Sequence, residues 1–106
     1  MKDFKEYLNE VKVLVEKIYE EALNSVPASL ITTPVGLNKL FDNLDKGLSK
    51  ETEYGAQFIA LITSSEVVEY REEVDILLGD LSKKFRSKLF SKIDEQFDRL
   101  KNLERV

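Results

Sequence analysis

Residues 67–103 read VVEYREEVDILLGDLSKKFRSKLFSKIDEQFDRLKNL, and how that stretch folds decides the shape of the whole chain. Its apolar positions are Val67, Tyr70, Val74, Leu77, Leu78, Leu81, Phe85, Leu89, Ile93, Phe97, Leu100 and Leu103. They recur every three or four residues, the period of one helix face. The later members drift apart faster than a seven-residue repeat allows, so the spacing predicts a straight face and not a left-handed coiled coil. A helix unbroken from Ser65 to Leu103 would span about 58 Å at 1.5 Å per residue, long for a compact domain of this size. Gly79-Asp80 offers a natural break, with glycine ending one helix and aspartate capping the next. Two forms therefore stand open, one long C-terminal helix or two joined at Gly79.

The rest of the chain obeys the same period. Phe4, Tyr7, Leu8, Val11, Leu14, Val15, Ile18, Ala22 and Leu23 make an amphipathic helix that Pro27 cannot enter, so it ends near Ser25. The following Val26–Pro34 connection is apolar for a loop and is expected to lie against the body. Thr33 followed by Pro34 reads as an N-cap with proline in the first helical turn, where its missing amide costs nothing. Leu37, Leu40, Phe41, Leu44 and Leu48 then carry a second helix, with Gly47 as its stop. Ser49 is the expected cap of a third segment over 50–62, bearing Tyr54, Phe58, Leu61 and Ile62, for which helix is preferred to a lone strand without a pairing partner. Thr63 and Glu66 fit a capping box opening the last helix. The reading is all-α: one helical domain over residues 1–106, a compact bundle of four or five helices. Its expected core is Leu8, Val11, Leu14, Val15, Ile18, Leu40, Leu44, Phe58, Leu61, Leu78, Leu81, Phe85 and Leu89, with Tyr7, Tyr19, Tyr54 and Tyr70 at its margins and their hydroxyls wet.

Composition narrows the chemistry. The 106 residues include no cysteine and no histidine, which removes thiolate ligands, disulfides, the usual general base and the commonest metal ligand. Gly36, Gly47, Gly55 and Gly79 are isolated, so no phosphate loop or dinucleotide fingerprint is present. Glu66, Glu69, Glu72, Glu73 and Asp75 crowd together, yet without histidine or an acidic glycine-turn loop they specify no cation site and read as a solvated surface. No catalytic residue, cofactor or metal is expected. The charged N-terminal stretch Met1-Lys2-Asp3-Phe4-Lys5-Glu6 has no signal-type apolar core, and the apolar run from Phe58 to Ile62 is far short of the roughly 20 residues that span a bilayer. A cytoplasmic protein away from membranes is expected.

The net charge of −4 conceals a segregation. Residues 51–80 hold eight acidic side chains against Arg71 alone, a balance of −7, whereas residues 81–92 hold five basic ones and no acid, +5. Lys84, Lys88 and Lys92 form one line at i, i+4 and i+8 beside the apolar face, and Lys83 and Arg86 flank its other side. Such a cluster could hold nucleic-acid phosphates, dock an acidic protein surface, or simply solvate a helix while its lysine stems cover apolar neighbours. The acidic remainder of the chain repels phosphate, so any nucleic-acid affinity of the isolated chain is expected to be weak.

The stretch Leu37-Asn-Lys-Leu-Phe-Asp-Asn-Leu-Asp-Lys-Gly-Leu-Ser-Lys-Glu-Thr, followed by a basic amphipathic helix, resembles the small helical subunits of archaeal type I CRISPR effector complexes over residues 37–92. The resemblance carries no diagnostic motif. It implies a non-enzymatic subunit of an antiviral defence complex that stacks along the assembly and helps hold target DNA, with Lys83, Lys84, Arg86, Lys88 and Lys92 near nucleic acid. The acidic overall charge departs from that role.

The sequence thus leads to a non-catalytic structural or adaptor subunit of a larger cytoplasmic assembly; the alternative is a homodimeric helical regulator or inhibitor, of viral or mobile-element type, acting through its acidic surface. Self-association is expected through Val74, Leu77, Leu78 and Leu81. Two copies crossing antiparallel at Gly79 would set Asp75 opposite Lys83 and Glu66 opposite Lys92. The competing arrangement breaks at Gly79 and folds the basic block back onto the acidic one within a single chain.

Overall fold

The computed structural model describes residues 3–64 and 67–104. Helix α1 spans Phe4–Asn24, a single 3-10 turn covers Ala28–Leu30, α2 spans Pro34–Gly47, α3 spans Glu53–Ile62 and α4 spans Val67–Glu104. No strand occurs among the described residues.

Each boundary has a local cause. Asp3 opens α1 by accepting from the Glu6 amide at 2.8 Å, satisfying one of the donors that a helix start leaves free. Thr33 caps α2 through the Gly36 amide, with Pro34 in the first turn as expected. The cap of α3 is Thr52, accepting from Gly55, three residues beyond the expected Ser49. Ser49 instead donates to the Lys46 carbonyl and accepts from Glu51, so it closes a turn between the helices. Of the expected capping box at the start of α4, Glu66 lies outside the described residues, as does Ser65.

Cross-chain contacts fix the topology. Along α1, Phe4 meets Tyr70 with ring centres 4.8 Å apart, Tyr19 meets Phe85 at 4.8 Å, and Asn24 accepts from Lys92 at 3.2 Å. Both numbers rise together, so α1 and α4 run parallel. Tyr7 donates to the Leu61 carbonyl at 2.8 Å and Lys17 stands 5.3 Å over the Tyr54 ring, so α3 runs the other way. Asn43 donates to Ser25, and a methyl added to Gly47 would come within 2.8 Å of Ile18, so α2 also runs antiparallel to α1. Helices α2 and α3 therefore lie end to end along α1, and the bundle is up, down, up, with its middle strut in two pieces.

One apolar cluster joins Tyr7, Val11, Val15 and Ile18 of α1 to Phe58 of α3 and to Val74 and Leu81 of α4. A second joins Leu23, Val26, Ile31 and Leu40 to Phe85 and Leu89. The apolar connection lies against the body as expected, contributing Val26 and Ile31 to this second cluster. Among the expected core residues, Leu8, Leu44, Leu61 and Leu78 are only partly buried. Tyr7 departs from its expected place at the margin: it is 1% exposed, and its hydroxyl bonds the Leu61 carbonyl.

Helix α4 settles the open question about Gly79. It runs 38 residues without a break, and a methyl added to Gly79 would meet nothing within 4 Å. No described glycine has a positive φ, so none acts as a left-handed stop. Gly47 does sit at the end of α2, but its role there is to permit close approach to Ile18. Gly55 is required by space, because a methyl there would run into the Ser49 carbonyl. With α4 unbroken, the chain is 61 Å long with a radius of gyration of 16.7 Å, against about 13 Å for a compact chain of this length. The all-α bundle with a long C-terminal helix is as the sequence predicts; the unbroken α4 makes it elongated and replaces the intramolecular hairpin folded at Gly79.

Gly79→Ala is expected to raise stability by about 0.5–1 kcal/mol, the helix-propensity gain at an exposed interior site; a hinge at Gly79 would give no gain. Leu81→Ala is expected to cost about 2–5 kcal/mol, since Leu81 is 3% exposed. Urea melts followed by circular dichroism measure both.

Candidate functional site

The five basic residues of α4 occupy two sides of the helix. Lys84, Lys88 and Lys92 line a groove of about 750 Å³ between α1 and α4, whose other wall carries Glu16 and Glu20 and whose floor includes Tyr19, Leu23, Leu81 and Phe85. The basic line thus meets acidic residues of its own chain, and Lys92 donates to Asn24. Lys83 and Arg86 lie outside this groove, exposed, and share the i, i+3, i+7 side of α4 with exposed Phe90. Sequence periodicity separates these two groups of cations; what it lacks is the acidic wall, because α1 had no assigned neighbour.

Val74, Leu77, Leu78 and Leu81, the expected self-association face, belong to the intramolecular core. Val74 and Leu81 are each 3% exposed, and Leu77 and Leu78 pack against the same cluster. They form the inner side of α4, packed in the cluster to which α1 and α3 contribute. A dimer crossing at Gly79 on these residues would have to open the core, and its second charge pair involves Glu66, outside the described residues.

Exposed apolar side chains of α4 lie both beside the body, at Val68, Ile76 and Phe90, and past it. The last body contacts of α4 are made by Phe85, Leu89 and Ile93, and Asn24, the end of α1, is level with Lys92. Beyond Ile93 no described residue of α4 belongs to either apolar cluster. Phe97, Leu100 and Leu103 are 49%, 48% and 71% exposed, prolonging the stripe that Leu89 and Ile93 begin. Leu30 and Val35, both exposed, belong to the 3-10 turn and the start of α2 at the same end of the body. Three large apolar side chains thus follow one another on one face of the helix past the body.

Among the described residues no buried polar or charged residue occurs, and no group of three His, Cys, Asp or Glu is placed to hold a metal ion. Glu69, Glu72, Glu73 and Asp75 are exposed on α4. No helix among the described residues is long and apolar enough to cross a membrane.

Burial pushes the Tyr19 phenol above its ordinary value, with its ring packed on Phe85. The folded state holds this proton more tightly than the unfolded one. The resulting stability is complete below the unfolded value near pH 10 and is lost as pH rises through the higher folded value. Thermal melts from pH 8 upward are expected to show an alkaline decline that Tyr19→Phe lessens; an identical decline in both proteins would contradict this.

Comparison with protein families, curated proteins and solved structures returned no match.

Proposed function

We propose that the protein is a non-catalytic structural or adaptor subunit that joins a larger cytoplasmic assembly through the end of the bundle from which α4 emerges. One observation carries this reading: α4 continues for about three turns past its last body contact, with Phe97, Leu100 and Leu103 exposed on one face. A helix face left apolar without an internal partner is the ordinary form of a helix-to-helix docking element. Nothing comparable favours chemistry, because the chain offers no histidine or cysteine and Glu69, Glu72, Glu73 and Asp75 stand exposed on α4.

A nucleoprotein assembly, of the CRISPR effector type that residues 37–92 resemble, is the finer form of the same reading. It is supported by the exposed trio of Lys83, Arg86 and Phe90, two cations beside an aromatic face able to stack on a base. Lys84, Lys88 and Lys92 would contribute less than their number suggests, since Glu16 and Glu20 share their groove.

The test is made in extracts of the native cells, comparing the wild-type chain with Phe97→Asp/Leu100→Asp and with Lys83→Glu/Arg86→Glu, before and after nuclease. The wild type is expected to migrate in a heteromeric complex, and the apolar double variant to leave it while melting at the wild-type temperature. Loss of the complex in the charge-reversed variant and after nuclease would support the nucleoprotein form. A wild-type chain found with no other macromolecule, or an apolar variant retained in the complex, would overturn the adaptor reading.

A further inference from the structure

We propose that the projecting segment of α4 pairs antiparallel with the same segment of a second copy of this chain. The inference rests on the adaptor reading and names the first partner of its apolar end.

The register of charges selects both partner and direction. Within the projecting segment Asp94, Glu95 and Asp98 precede Arg99 and Lys101, and Glu104 ends the helix. Side by side in parallel, two copies would set each charge against its like. Turned antiparallel about a two-fold axis beside Phe97 and Asp98, Asp94 falls opposite the second copy's Lys101, and Glu95 within one residue of its Arg99. Asp94 and Lys101 also share one flank of the apolar stripe, so this pair borders the contact, and symmetry supplies it twice.

The apolar side chains obey the same axis. Ile93 falls within one residue of the second copy's Leu103, and Phe97 within two of its Leu100. All of these except half-buried Ile93 are largely exposed in the single chain. Apolar and charged registers therefore converge on one crossing point, as a self-complementary surface requires, and an unrelated helix has no reason to match both. This crossing leaves Val74 and Leu81 in the core, and it leaves Lys83 and Arg86 on the body side of the contact, free for a further partner.

Light scattering on the purified chain at roughly 50 μM, a concentration at which low-micromolar dimers are populated, tests the pairing directly. The expected mass is twice 12.2 kDa, falling to the single-chain value in Phe97→Asp/Leu100→Asp. Asp94→Lys and Lys101→Asp, each alone, should raise the dimer dissociation constant by about tenfold, two symmetric pairs being turned from attraction to repulsion. Combining the two should restore it, a rescue that only a second copy in this register can give. Melting curves confirm that each variant remains folded. A wild-type monomer, a dimer insensitive to the apolar change, or a double charge variant no tighter than the singles would each overturn the pairing. A purified monomer whose native complex is still lost with Phe97→Asp/Leu100→Asp would overturn self-pairing alone and leave the adaptor reading in place.

Discussion

The constraint on which the structure depends is a mismatch of lengths. Helix α4 has 38 residues and α1 only 21, about 57 Å against about 32 Å at the helical rise. Because the two run parallel from nearly level starts, Phe4 beside Tyr70, the difference appears at one end. The connection after α1 and the start of α2 pack with α4 as far as Ile93, the last of its residues in the apolar clusters. An antiparallel neighbour of equal length, or a break at Gly79, would have buried the stripe that now ends in Phe97, Leu100 and Leu103.

The body itself is organised by α1, which packs against α2, α3 and α4 alike. Its apolar face is wide enough to serve all three because Tyr7, Val11, Leu14, Val15, Ile18, Ala22 and Leu23 wrap well beyond a single seam. Helices α2 and α3 act as one antiparallel strut, interrupted where the Thr52 hydroxyl donates back to the Gly47 carbonyl and caps the Gly55 amide. The two glycines there are close-packing residues: one admits Ile18 and the other admits the Ser49 carbonyl. The interruption thus fits α1 closely at Ile18.

Much of this was legible in the sequence. The α1 face, the Pro27 stop, the Thr33-Pro34 start and the inward side of α4 come from period and local chemistry, which do not depend on neighbours. The misplacements share a cause, a competition that only tertiary contacts decide. Ser49 and Thr52 are both good caps, and space around Gly55 selects Thr52. Gly79 is a good stop in isolation, yet propagation continues through it because helix on both sides is packed by Val74, Leu81 and Phe85. Tyr7 resembled a margin residue until Leu61 supplied an acceptor inside the bundle. The candidate surface was less legible still, since Phe97 and Leu100 continue the same apolar period as the buried residues, and only the lengths of their neighbours set them apart. The Asp3-x-x-Glu6 cap of α1 was a signal available in the sequence and overlooked.

The proposed contact surface and the proposed pairing both require α4 to be one straight helix that outruns its bundle. Spin labels at the exposed positions Glu72 and Lys101, in protein diluted with unlabelled chain, measure this by electron–electron dipolar spectroscopy. A continuous helix gives a single narrow distance distribution centred at about 44 Å. A population at about 25 Å, the separation left if the chain folds back at Gly79, would contradict it.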